Sequence, residues 1–173
     1  MTLPQRLAAV TGATVTEAYD MVTAEVSAAR WVETVQAARD ELGLDLFDLL
    51  TVVDQLPGGF EVVVRLWSVA GKWAVVLRTS LPRDAPVVDS LVTVYAGAAW
   101  HERHAAEMFG VRFTGHPDLA PLLLGPASPA TPLRKDVPLT RRGERPWPGA
   151  QDPAHSGPGG RPPRRLLRPP GSL

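Results

Sequence analysis

The chain of 173 residues contains no cysteine. That absence removes disulfides, thiolate nucleophiles, zinc ribbons and cysteine-ligated iron–sulfur clusters in one stroke. Long apolar runs are missing too, so no segment reaches the roughly 18–20 residues of a membrane-spanning helix. The opening residues, MTLPQRLAAVTGATVTEAYD, have no charged leader followed by an apolar stretch. They read as no secretory signal, and a cytoplasmic location is the expectation. Nucleotide-binding and nucleophile-elbow signatures (G-x-G-x-x-G, the P-loop, G-x-S-x-G) do not occur. The glycines of LPGGFE and SGPGG are better explained as flexible backbone.

What is present suits one domain with a real core, since 45% of the residues are apolar and 21% charged. Net charge is zero but unevenly spread. Residues 1–140 hold 11 basic and 16 acidic side chains, a net of −5. Residues 141–173 hold seven arginines against Glu144 and Asp152, a net of +5, with eight prolines and six glycines. Such a tail lacks the apolar side chains to pack and is expected to be disordered. It could attract a polyanion, but Trp147 is its only aromatic residue, and no nucleic-acid partner is expected.

Periodicity organises the rest. Residues 2–10 suit a short helix capped by Thr2. Residues 20–28 alternate as a strand, and 29–42 switch to a helix carrying Trp31, Val35, Ala38 and Leu42, with Gly43 at its end. Three strands follow at 48–55, 59–68 and 72–80, joined by short glycine-bearing turns that favour antiparallel hairpins. Prolines make 81–97 an extended connection, and 98–109 is a helix ended by Gly110. The order predicts an α+β fold, a mainly antiparallel sheet with helices packed on one face, followed by an extended Pro/Gly-rich C-terminal tail. The boundaries expected are an N-terminal segment at 1–19, the domain at 20–124, an extended segment at 125–142 and the tail at 143–173.

One stretch concentrates chemistry. Residues 98–119 hold His101, His104 and His116, Arg103 and Arg112, and Glu102, Glu107 and Asp118. On a helical projection Trp100, His104 and Met108 recur along one side, with Ala105 and Phe109 near it. Glu102, Arg103, Ala106 and Glu107 fall more to the other side, where Arg103 and Glu107 can pair. A metal site built from His101, His104, Glu107 and His116 is one reading. The spacing argues against it, because zincin-type helices place histidines four apart around a glutamate. Further on, Asp118 after Pro117 is placed to accept backbone N–H bonds at the start of a helical turn. In TPLRKDVPL (131–139) the proline-bounded Arg134 and Asp136 share one face and Lys135 takes the other. Arg134 is expected to pair with a carboxylate, Glu102 or Glu107 of its own domain or one on a partner.

Together WHERHAAEMFGVRFTGHPDL (100–119) and PLRKDVPL (132–139) resemble the thirty-kilodalton, C-type subunit family of respiratory complex I, the NADH:quinone oxidoreductase. LFDLLTVVDQ, GFEVVVRLWS and LPRDAPVVDSLVTVYAGAAW agree in order, so the likeness spans roughly 20–140. The resemblance implies a peripheral-arm docking subunit that binds no cofactor. NADH, FMN, iron–sulfur clusters and quinone would belong to the parent complex. Its neighbours would be the D-like subunit of the quinone site and the B-like subunit of the terminal cluster, with an I-like subunit as a further candidate. The chain would sit on the cytoplasmic side of the bacterial cell membrane as a peripheral protein. The motif residues that carry over are Trp100, Glu102, Arg103, Glu107, Phe109, Gly110, Phe113, Gly115, His116, Pro117, Asp118, Leu119, Pro132, Leu133, Arg134, Lys135, Asp136, Pro138 and Leu139. None is implied to be catalytic. Three positions depart from the family pattern, which has a glutamate at His104, an aromatic at Ala106 and an aspartate at Glu107. Such departures would also suit a paralogue in a second oxidoreductase or in a related membrane-bound hydrogenase.

Overall fold

The structure is a computed structural model, and it describes residues 1–126, 128 and 130–138. The expected disordered tail and Leu139 lie outside the described residues. Helix α1 (Leu3–Thr11) starts at Thr2, whose backbone N–H is bonded by Gln5. Strand β1 (Thr14–Ala18) turns tightly through Tyr19 and Asp20 into β2 (Met21–Glu25). Helix α2 (Trp31–Leu42), strands β3 (Leu46–Gln55), β4 (Gly59–Ser68), β5 (Trp73–Pro82) and β6 (Val87–Asp89), helix α3 (Ala98–Phe109) and strand β7 (Arg112–Thr114) follow.

Five strands form one sheet in the order β1-β2-β5-β4-β3, and β6 pairs with β7 separately. The β3–β4–β5 meander is antiparallel, as the short turns predict. The sheet is mixed, however, because β2 runs parallel to β5, as does β6 to β7. Strand β1 lies in the stretch read above as an N-terminal segment, and its pairing with β2 builds it into the sheet. Its side chains are almost all exposed, so it carries no alternation of the kind that marks a half-buried strand.

Register explains the core. Leu50, Val64 and Leu77 lie side by side across three strands, and Val52, Val62 and Thr79 form the next row. These inward positions are buried while their neighbours on the other face are partly exposed. The inward face packs against Leu7, Trp31, Val35, Ala38 and the buried side of α3 in a single cluster. One inward position breaks the apolar pattern: Asp54 continues the Leu50, Val52 phase, yet is only 3% exposed. A carboxylate there must find partners within the protein.

Candidate functional site: the α3 helix and its strap

Helix α3 is held by a different stripe from the expected one. Ala98, Glu102, Ala105, Met108 and Phe109 are buried, whereas Trp100 is 62% exposed. The projection assumed that charged residues face water, and Glu102 reverses that rule. Its side chain is wholly buried, taking a bond from the Ser90 hydroxyl at 2.6 Å and from the Leu91 N–H at 2.7 Å. Desolvation pushes its carboxyl above the ordinary 4.5, against the pull of those two bonds and of nearby His116. Ser90 is itself fixed, since its N–H donates to Thr114 O at the end of the β6–β7 ladder. Glu102 thus ties the β6–α3 connection to the helix.

The polar side of α3 holds the loop that follows β7. Arg103 donates through Nε to Ala120 O and through Nη2 to Pro121 O, at 3.0 and 3.1 Å. Glu107 accepts the N–H groups of Leu123 and Leu124, at 3.0 and 2.6 Å for the shorter pair. Desolvation would raise the Glu107 carboxyl, but the N–H groups of Leu124, Leu123 and Leu122, then His104, together hold it below its ordinary value. The expected Arg103–Glu107 pair is therefore replaced. Each side chain is spent on backbone groups that a loop leaves unmade.

His116 organises the start of that loop. Its Nδ1 accepts the Asp118 N–H at 3.0 Å, and its Nε2 lies 3.1 Å from Ala99 O. These two contacts together define the Nε2–H tautomer. Asp118 then accepts the Ala120 N–H at 2.8 Å. That is the expected carboxylate-to-backbone bond, made in a tight side-chain turn rather than at a helix start. Gly115 has φ +81, which releases the chain from β7 towards the exposed Pro117. Phe113 anchors β7 in the core, and Leu119 packs at its border.

The second motif forms a strap across the end of the sheet. Leu133 N–H donates to Met108 O at 3.2 Å, and Lys135 N–H donates to the buried Asp54 at 2.8 Å. The other Asp54 oxygen is bonded by Arg83, which also reaches Asp136 at 3.0 Å. Phe60 lies between two guanidinium groups, Arg83 and Arg134, each 4.9 Å from the ring centre, and it meets Phe109 edge-on at 6.4 Å. Arg134 pairs with Asp136 at 3.3 Å. It does not pair with Glu102 or Glu107, because both have their needs met elsewhere. Pro132 to Pro138 run through turns and bends, not an extended strand. Gly110 makes the docking possible: at φ +75, a Cβ there would stand 2.9 Å from the Thr131 methyl.

The four residues of the metal reading do not converge. His101 Nδ1 lies 3.1 Å from Leu50 O and 3.4 Å from Leu50 N on β3, and its ring meets Phe47 edge-on. His116 and Glu107 are committed to backbone, as above. Among the described residues no cluster of three or more histidine or acidic side chains could hold a metal ion, so that reading is overturned. Asp54, Phe60, Arg83 and Ser90 escaped the sequence reading. Of these only Asp54 left a trace, as a carboxylate in phase with an apolar strand face.

Comparison with known proteins bears on this arrangement. Residues 24–143 match the family model described as the respiratory-chain NADH dehydrogenase 30 Kd subunit. The chain belongs to this family. The C subunit of the NADH-quinone oxidoreductase of Bordetella petrii is 34% identical over 162 residues, covering 80% of this chain and 78% of that protein. Its counterpart from Burkholderia cenocepacia is 37% identical over 153 residues, covering 80% and 76%. Two solved structures share the fold at 23% identity. A trypsin-resistant fragment of Nqo5 gives a TM-score of 0.58 over 65% of this chain and 93% of its own. A chain of an archaeal membrane-bound sulfane sulfur reductase gives 0.69 over 82% and 93%. In this member of the 30 Kd family the described residues of both sequence motifs lie on α3 or on segments bonded to it. No helix among the described residues is long and apolar enough to cross a membrane.

Proposed function

We propose that this chain is a cofactor-free docking subunit in the peripheral arm of an NADH:quinone oxidoreductase. In this reading it seats against the D-like subunit of the quinone site and the B-like subunit of the terminal cluster, with an I-like subunit as a further neighbour. It supports electron transfer from NADH to quinone coupled to proton translocation, on the cytoplasmic side of the cell membrane, without itself being catalytic. NADH, FMN, the iron–sulfur clusters and quinone stay with its partners.

The observation that carries this reading is how the motif charges are used. Glu102, Arg103, Glu107, His116 and Asp136 all bond within the chain. They stiffen one surface. Trp100, Leu123 and Leu133 remain more than 40% exposed on or beside α3. Exposed large apolar side chains on a rigid frame suit an interface. Purifying the tagged chain from its own cells tests this. Co-purification of D-like and B-like subunits, with NADH:quinone reductase activity lost on deletion of the gene, is the expected result. Recovery with hydrogenase subunits instead would move it to the related complex, and recovery as a lone monomer would end the docking reading.

A further inference from the structure

Strand β1 is the last of the five in its sheet, paired with β2 alone, and no described strand lies beyond it. A two-residue loop, Tyr19 and Asp20, closes this hairpin, so Ala18–Met21, Thr16–Thr23 and Thr14–Glu25 are the hydrogen-bonded pairs. The N–H and C=O groups of Val15 and Glu17 therefore point away from β2. No described group bonds them. Natural sheet edges are commonly blunted by lysine, proline or a bulge. Thr14–Ala18 has neither residue, and its register with β2 is unbroken. Four of its five side chains are exposed, so the strand buries little of its own and stands ready to be extended.

Charge narrows the partner. Glu17 is the one charged residue of β1, and Asp20 follows at the tip of the hairpin. Neither side chain enters an ion pair or hydrogen bond with a described residue, whereas Glu25 on β2 is paired with Arg78. Lys72, at the same end of the sheet, is bonded to neither. Between the two acids Tyr19 is wholly exposed. Its φ is +52 and that of Asp20 is +60, a turn that asparagine and glycine adopt with less strain. Two unanswered carboxylates beside an open aromatic face suit a basic side chain, which can pair with an acid and lie over the ring.

We propose that the β1 edge receives an extended segment of a partner protein as a sixth strand. The segment is bonded through Val15 and Glu17 and carries a lysine or arginine against Glu17, Asp20 and the Tyr19 ring. In such an added strand main-chain bonds supply affinity, and the side chains set beside it supply selectivity. A second copy pairing through its own β1 would bring two more acids and leave the charge unanswered. This edge is the opposite one from β3, against which α3 packs, so the proposal goes beyond the docking of that helix. The test puts the photo-cross-linker p-benzoylphenylalanine in place of Tyr19 in the tagged full chain, in its own cells, and sequences what irradiation attaches. One adduct is expected, to a segment with a lysine or arginine beside the linked residue. Adding Glu17→Lys should cut its yield roughly tenfold, with Glu17→Gln falling between. Tyr19→Asn with Asp20→Gly should raise the melting temperature. The same pair of changes, with the cross-linker moved to Thr16, should lower the yield, which a purely structural turn would not do. No adduct, an adduct to a second copy, a segment without a basic residue, or a yield indifferent to Glu17→Lys or to the turn changes overturns the proposal. If Glu17→Lys does not fold, Glu17→Gln decides. The cross-linker at Trp100 reports the α3 face separately: adducts there with none at Tyr19 leave the docking reading standing and end this one.

Discussion

Glu102 and Asp54 are both buried acids, but they are made tolerable in opposite ways. Asp54 receives a guanidinium and a backbone N–H, so its charge is matched. Glu102 receives a hydroxyl and a backbone N–H, and no cationic side chain is bonded to it. One carboxylate is an electrostatic anchor for the strap. The other is a polar peg for the β6–α3 connection, and burial favours its protonated form. The contrast shows that the two halves of the family motif are secured by different physics, and each half can be perturbed without the other.

The largest expected effect comes from removing the matched charge. Asp54→Ala leaves Arg83 with Asp136 alone and the Lys135 N–H unmet, and should cost about 3 kcal/mol, read from denaturant midpoints. Amides of the strap should lose hydrogen-exchange protection at the same time. A loss below about 1 kcal/mol would show that the strap is held by its apolar contacts instead.

Glu102→Ala should cost about 2 kcal/mol by leaving the Leu91 N–H unmet in the core. Glu102→Gln mimics the protonated acid and should change far less. Its pH dependence sharpens the contrast with Asp54. Because folding raises the Glu102 pKa above the ordinary 4.5, its contribution is fully present below that pH and is lost as pH rises through the folded value. Relative to wild type, Glu102→Gln should therefore gain stability as pH rises above the ordinary 4.5. A difference that stays flat with pH would mean that Glu102 is ionised in the fold without penalty.

Gly110→Ala tests the junction between the two halves. A left-handed backbone with a Cβ costs about 1–2 kcal/mol, and the added methyl also meets Thr131. The expected outcome is a lower melting temperature with early loss of protection at Leu133. Smallest is the strap's own basic pair. Arg134→Ala should cost about 0.5–1 kcal/mol through Phe60. Lys135→Ala should cost nothing measurable, since its exposed side chain enters no ion pair among the described residues. If Lys135→Ala is the more damaging in assembly of the complex, the strap presents a different face to the partner than its bonding here implies.

Much of the fold is legible in the sequence because long elements carry their own period. The β3–β4–β5 meander and both ends of α3 can be read almost residue for residue. Strands β1, β6 and β7 cannot, being short and, in β1, exposed on nearly every side chain. The parallel step from β2 to β5 is illegible for another reason: it joins residues about fifty positions apart, and no local pattern specifies it. At the site, the motif residues are legible but their partners are not. Sequence reasoning offers Arg134 a carboxylate on α3 or on a partner and sets Glu102 on the side of its helix away from Met108. Neither finds Asp136 or Ser90, because distant groups decide where a charge can rest.

The imidazole of His101 carries one more consequence. It meets the backbone of Leu50 on β3, the last strand of the five-stranded sheet. An outermost strand normally offers its unused peptide groups to any passing chain, which invites sheet-to-sheet fusion and aggregation. Here a side chain plugs part of that row with Phe47 edge-on beside it, so the sheet is closed to growth at this point by His101. Uncovering that row by His101→Ala would turn a quiet margin into an adhesive one, seen as self-association that grows with concentration.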